Sequence, residues 1–94
     1  MEAIQITVKI DPFLKRSQNK GFSVHLNGAV VGDIFPGDVL RFTATEEENL
    51  VQVSFVNKEL YWAESTYSFE AKNIEGPLEL EITVINMLIV LKRI

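Results

Sequence analysis

Cysteine is absent from this chain of 94 residues. Disulfides, thiolate metal sites and cysteine nucleophiles are thereby excluded. Nothing follows from that absence about compartment. Histidine occurs once, at His25. With one imidazole and no Gly-x-Ser-x-Gly elbow, no nucleophile–base–orienter set is visible. Long apolar runs are missing as well. Residues 84–91 come nearest, but they number eight and include Asn86, whereas a spanning helix needs about 20. The opening MEAIQITVKI has no basic segment leading into an apolar core, so no signal peptide is visible. As it stands the chain reads as cytoplasmic. A membrane segment in a longer protein, beyond residue 94, would make it membrane-associated.

Positive charge is also short. Nine Lys and Arg face thirteen Asp and Glu, a net charge of −4. A nucleic-acid module would carry a basic stripe. The nearest candidate is Lys15, Arg16 and Lys20 in KRSQNKG, which reads as a solvated loop. Nucleic acid is therefore not an expected partner.

What the chain does have is a period of two. Ile4, Ile6, Val8 and Ile10 alternate with polar residues until Asp11–Pro12 ends the run. Phe22, Val24 and Leu26 repeat the pattern, then Leu40, Phe42 and Ala44, then Val51, Val53 and Phe55. Tyr61, Ala63, Ser65, Tyr67 and Phe69 share one face, with Trp62, Glu64, Thr66, Ser68 and Glu70 on the other. Leu78, Leu80, Ile82 and Val84 follow after a turn at Glu75–Gly76–Pro77. About seven strands at short spacing, with no helical period, predict an all-β chain. The expected architecture is one domain, residues 1–94, folded as an antiparallel immunoglobulin-like β-sandwich. A small closed β-barrel is the alternative.

The segment HLNGAVVGDIFPG holds Gly28, Gly32 and Gly37 close together. A phosphate cradle would need the G-x-G-x-x-G or G-x-x-x-x-G-K spacing and a following helix. Neither is present. Asn27–Gly28 instead predicts a type I′ hairpin turn, and Pro36–Gly37–Asp38 a second tight turn. No cofactor and no metal is expected. Glu46, Glu47 and Glu48 are consecutive, so in an extended segment they do not converge, and no calcium-loop pattern is present. Glu79 and Glu81 mark the wet side of a strand. His25 is expected at least partly exposed on an outward strand face. Trp62, with Glu64 beside it on the polar face, is a candidate ligand or partner contact.

The end of the chain breaks the pattern. From residue 84 onwards both faces are apolar, with Ile85, Met87, Ile89 and Leu91 on one side. A central strand covered on both faces, or a bulge at Asn86, would explain this. The other reading is an edge strand whose Ile85, Met87, Ile89 and Leu91 meet a second copy or a protein partner.

Leu26-Asn27-Gly28, Val31-Gly32, Pro36-Gly37-Asp38 and Val51-Gln52-Val53 together resemble the small bacterial PEGA-type β-sandwich domains. The resemblance covers roughly residues 4–56. Glu46-Glu47-Glu48-Asn49 departs from the Pro-Gly-containing turn common in that family. It implies a non-catalytic accessory domain of an envelope- or membrane-associated protein, serving interaction or spacing, and it supplies no catalytic residues. A glycan-binding module using Trp62 is the alternative function. A hydrolase working with carboxylates alone comes last.

Overall fold

The computed structural model describes residues 3–14, 21–56, 64–86 and 88–94. These residues form eight strands: β1 (Ile4–Ile10), β2 (Phe22–Leu26), β3 (Ala29–Ile34), β4 (Val39–Ala44), β5 (Glu48–Phe55), β6 (Glu64–Glu70), β7 (Leu78–Ile85) and β8 (Leu88–Arg93). One short 3₁₀ turn, Ala71–Asn73, follows β6. The strands make two four-stranded sheets. The first has the order β4-β1-β7-β8 and the second β3-β2-β5-β6. All pairings are antiparallel except β1 with β7, which run parallel.

The alternation of side chains dictates which face each sheet turns inward. Ile6, Val8, Leu78, Leu80 and Ile82 of the first sheet are fully buried. So are Phe22, Val24, Ile34, Val51 and Val53 of the second, and all belong to one core. The architecture is sandwich-like. It is not a closed barrel, contrary to the alternative drawn from strand count. The chain passes from β3 to β4 through the Pro36–Gly37 turn, so these successive strands join different sheets instead of pairing. At the other side Leu91 N–H of β8 donates to Ser65 Oγ of β6 at 3.2 Å, a single side-chain bond where a barrel would need a ladder.

Both predicted turns form. Asn27 and Gly28 have φ of 53° and 86°, as a type I′ turn requires, and Leu26 pairs with Ala29 across it. Gly37 has φ of 88°, and Asp38 N–H donates to Phe35 O at 2.9 Å. This turn carries the chain from one sheet to the other. Gly32 does not turn the chain. It lies within β3, where the pairing with β2 shifts register and skips Val31. A Cβ at Gly28 would meet nothing within 4 Å, so only backbone strain opposes substitution there. Gly28→Val is expected to lower stability by about 1 kcal/mol or more, read from the chemical denaturation midpoint.

The final stretch is neither a covered central strand nor a bulged one. It is a hairpin. Ile85 pairs with Leu88, and Asn86 takes the left-handed conformation at φ 51°. The inward set changes from even numbers in β7 to odd numbers in β8. Two one-sided strands therefore read, end to end, as one run with two apolar faces. This extra reversal accounts for the eighth strand.

Candidate functional site

Register places the ends of the strands. Lys9 pairs with Val39 and with Glu81 in the first sheet. Phe22 pairs with Ile34 and Phe55 in the second. One tight turn joins Ile34 to Val39, so these positions share one end of the molecule. The turn at Asp11, the Phe35–Asp38 turn and the tip of the β7–β8 hairpin lie there. The opposite end holds the Asn27–Gly28 turn, Glu46 to Glu48, Glu70 and the Glu75–Gly76 turn.

The two ends differ in chemistry. Phe13, Phe35, Val39, Ile85 and Leu88 are all exposed at the first end, Phe13 at 91%. Among the described residues, Leu50 and Ile94 are the exposed large apolar residues towards the other end, and Val30 lies on a sheet face. Asp11 organises the apolar end. Its carboxylate accepts from Phe13 N–H at 2.9 Å and from Thr83 Oγ1 at 3.0 Å, which fixes the Pro12–Phe13 turn to β7. Asp38 Oδ2 accepts from Phe35 N–H at 3.1 Å. A groove of about 370 Å³ runs between the two turns, lined by Ile10, Pro12, Leu14, Pro36 and Val39 with Lys9 at its margin. Glu46, Glu47 and Glu48 are exposed at the other end. There Asn49 is buried, its Nδ2 donating to Glu46 O and its Oδ1 accepting from Asn27 Nδ2. Asn27 Oδ1 in turn accepts from Leu50 N–H at 2.7 Å. The predicted turn residue thus also clamps β5, a role that the local Asn–Gly signal does not reveal.

The outer face of the second sheet gathers a second set of side chains. His25 pairs with Gln52, and Gln52 with Thr66, while Ser23, Ser54 and Glu64 line up one row away. Ser23, His25, Val30, Gln52, Ser54 and Glu64 border a shallow groove of about 490 Å³. Ser23 Oγ donates to Asp33 Oδ1 at 2.9 Å and Gln52 Nε2 to Glu64 Oε2 at 2.8 Å. Asp33 therefore takes its proton donor directly from Ser23, with no imidazole between them. Among the described residues the His25 imidazole makes no hydrogen bond, although its backbone is paired in the sheet. The residue types of a serine triad are present here, but not its order of contacts.

The sequence-predicted contact residues divide. Glu64 is exposed, with Gln52 as its partner. Ile85 is exposed at the hairpin tip. Ile89 and Leu91 are corrected to core residues, 6% and 7% exposed, because the reversal at Asn86 turns their side chains inward. Trp62 and Met87 lie outside the described residues. Phe13, Phe35, Val39 and Leu88 were not singled out by sequence. Only strand topology brings them to one end.

No protein-family model, no curated protein and no solved structure matches this chain.

Proposed function

We propose that this chain is a non-catalytic interaction domain that meets a protein partner, a second copy of itself included, through its apolar end. The observation that carries this reading is the gathering of Phe13, Phe35, Val39, Ile85 and Leu88 there, while Glu46 to Glu48 occupy the far end. Single exposed apolar side chains are ordinary, but several at one place, rimmed by polar groups, mark contact surfaces. Lys9, Asp11 and Asp38 are the polar residues of the groove at this end. An accessory role of the PEGA type, in a bacterial protein held near the envelope, is consistent with a small domain that offers loops at one end. The immunoglobulin-like element of the reading extends to a two-sheet sandwich and no further. In the constant-type order the first two strands are neighbours, whereas here β1 lies between β4 and β7.

The test is a paired substitution, Ile85→Ser with Leu88→Ser. Both side chains are exposed, so each should cost no more than about 0.5 kcal/mol of stability. Chemical cross-linking in producing cells would compare the adducts of three chains. The parent chain should give a protein adduct. The Ile85/Leu88 variant should lose most of it, and a Glu46→Gln/Glu47→Gln variant should keep it. An adduct left intact by the Ile85/Leu88 change would overturn the proposal.

A further inference from the structure

We infer that the outer face of the second sheet is a binding surface for a basic peptide segment, distinct from the apolar end. The first ground is charge. Outward positions of this sheet carry Asp33, Glu48, Glu64 and Glu70, and among the described residues its strands hold no Lys or Arg. Glu70 is paired with Lys72 of the following turn at 3.2 Å, so the uncompensated carboxylates beside the groove are Asp33 and Glu64. The outer face of the first sheet differs, presenting Lys9, Arg41 and Lys92 among Glu79 and Glu81. The second ground is the direction of the internal hydrogen bonds. Ser23 spends its only O–H on Asp33, and Gln52 spends an N–H on Glu64. The Gln52 carbonyl oxygen, the Ser23 lone pairs and the second oxygens of both carboxylates stay available as acceptors. A surface so rich in acceptors suits a ligand made of donors, namely ammonium or guanidinium groups. A sugar hydroxyl, which both donates and accepts, uses it less well.

The third ground is span. Asp33 on β3 and Glu64 on β6 stand in one row with Ser23 and Ser54 between them. Three strand spacings separate the two carboxylates by roughly 14 Å. In an extended peptide, side chains at i and i+4 share one side about 13 Å apart. Two basic residues at that spacing reach both carboxylates, with the intervening peptide over the groove beside His25 and Val30. A second copy of this chain is the poorer occupant. Of the three cations on the outer face of its first sheet, Lys92 is already bound to Glu81 at 3.6 Å and Lys9 lies in register with the same carboxylate, which leaves Arg41, opposite Thr7, as one cation where two are needed.

The probe is the capped peptide Lys-Gly-Gly-Gly-Lys, titrated into the labelled protein at low salt while amide shifts are followed. Saturable shifts are expected at Ser23, His25, Gln52, Ser54 and Glu64, reversed at high salt. The variant Asp33→Asn/Glu64→Gln should bind roughly three- to tenfold more weakly, the weight of two exposed ion pairs. The variant Glu46→Gln/Glu47→Gln removes the same charge at the far end and should bind like the parent. Unchanged amide shifts away from each substitution would show that both variants stay folded. Three results would overturn the inference. One is equal weakening by the two variants, which means non-specific attraction. Another is a shift pattern centred on Glu46 to Glu48. The third is a response at the groove to a neutral β-linked tetrasaccharide but not to the peptide.

Discussion

Phe22→Ala is expected to lower the stability of this domain by about 3–5 kcal/mol. Phe22 is fully buried and stacks on Phe55 with ring centroids 5.2 Å apart. It belongs to β2, which is paired on both sides, to Ile34 in β3 and to Phe55 in β5. Neither neighbour can move in to fill the space without breaking its ladder. The cavity term therefore adds to the lost transfer free energy instead of relaxing away. Domains of this kind hold only about 5–15 kcal/mol in total, so the change takes a large share. Urea denaturation followed by fluorescence or circular dichroism measures it. Phe13→Ala is the internal control. That ring is 91% exposed, and its loss should fall within about 0.5 kcal/mol of the parent. Equal costs at the two positions would contradict the assignment of core and surface.

The second large effect belongs to Gly21→Ala. Gly21 sits at φ 94°, a region that costs an L-residue about 1–2 kcal/mol. Its missing side chain also makes room for an aromatic ring. A Cβ built there would lie 2.5 Å from Cε1 of Phe35. Alanine must push the ring away or shift the backbone that accepts the Val56 N–H at Gly21 O. The Phe35 ring is partly exposed and can swing outward, so displacing it adds about 1 kcal/mol and the combined cost is expected at about 2–3 kcal/mol. The two contributions separate in a double-mutant cycle. In a Phe35→Ala background the steric part disappears and only the backbone part survives. Gly21→Ala should then cost less by about 1 kcal/mol or more. The same cost in both backgrounds would show that the Phe35 ring does not rest on Gly21. Because Phe35 is one of the exposed apolar residues, this contact also sets the shape of the proposed interaction end.

Much of the fold was legible in the residues. The run Ile4, Ile6, Val8 and Ile10 announced which face of β1 is buried, and all four are in the core. Asn27–Gly28 announced its turn, because few other pairs accept positive φ twice in succession. The hairpin at Asn86 was hidden for a physical reason. Asn86 is followed by Met87 instead of glycine, and both flanks are apolar, so no polar cluster marks the turn. The change of inward parity, from Leu80 and Ile82 to Ile89 and Leu91, was the one available sign. Strand order was hidden more deeply. Alternation says which face is buried but not which strand lies alongside, so the parallel contact of β1 with β7 left no trace in the pattern. The candidate surfaces depend on that order. Phe13, Phe35, Val39, Ile85 and Leu88 are scattered along the chain and come to one end only once the strands are arranged. His25 and Glu64 likewise share a face only because β5 lies between β2 and β6.

The central claim is that the domain works through its apolar end. Its most direct test is amide hydrogen exchange of the full-length chain, alone and in the assembly that it forms in the cell. Slowed exchange confined to the Asp11–Leu14 turn, the Phe35–Val39 turn and the Ile85–Leu88 tip is the expected result. Slowed exchange at Glu46 to Asn49 and at the Ala71–Asn73 turn, with the apolar end unchanged, would contradict it.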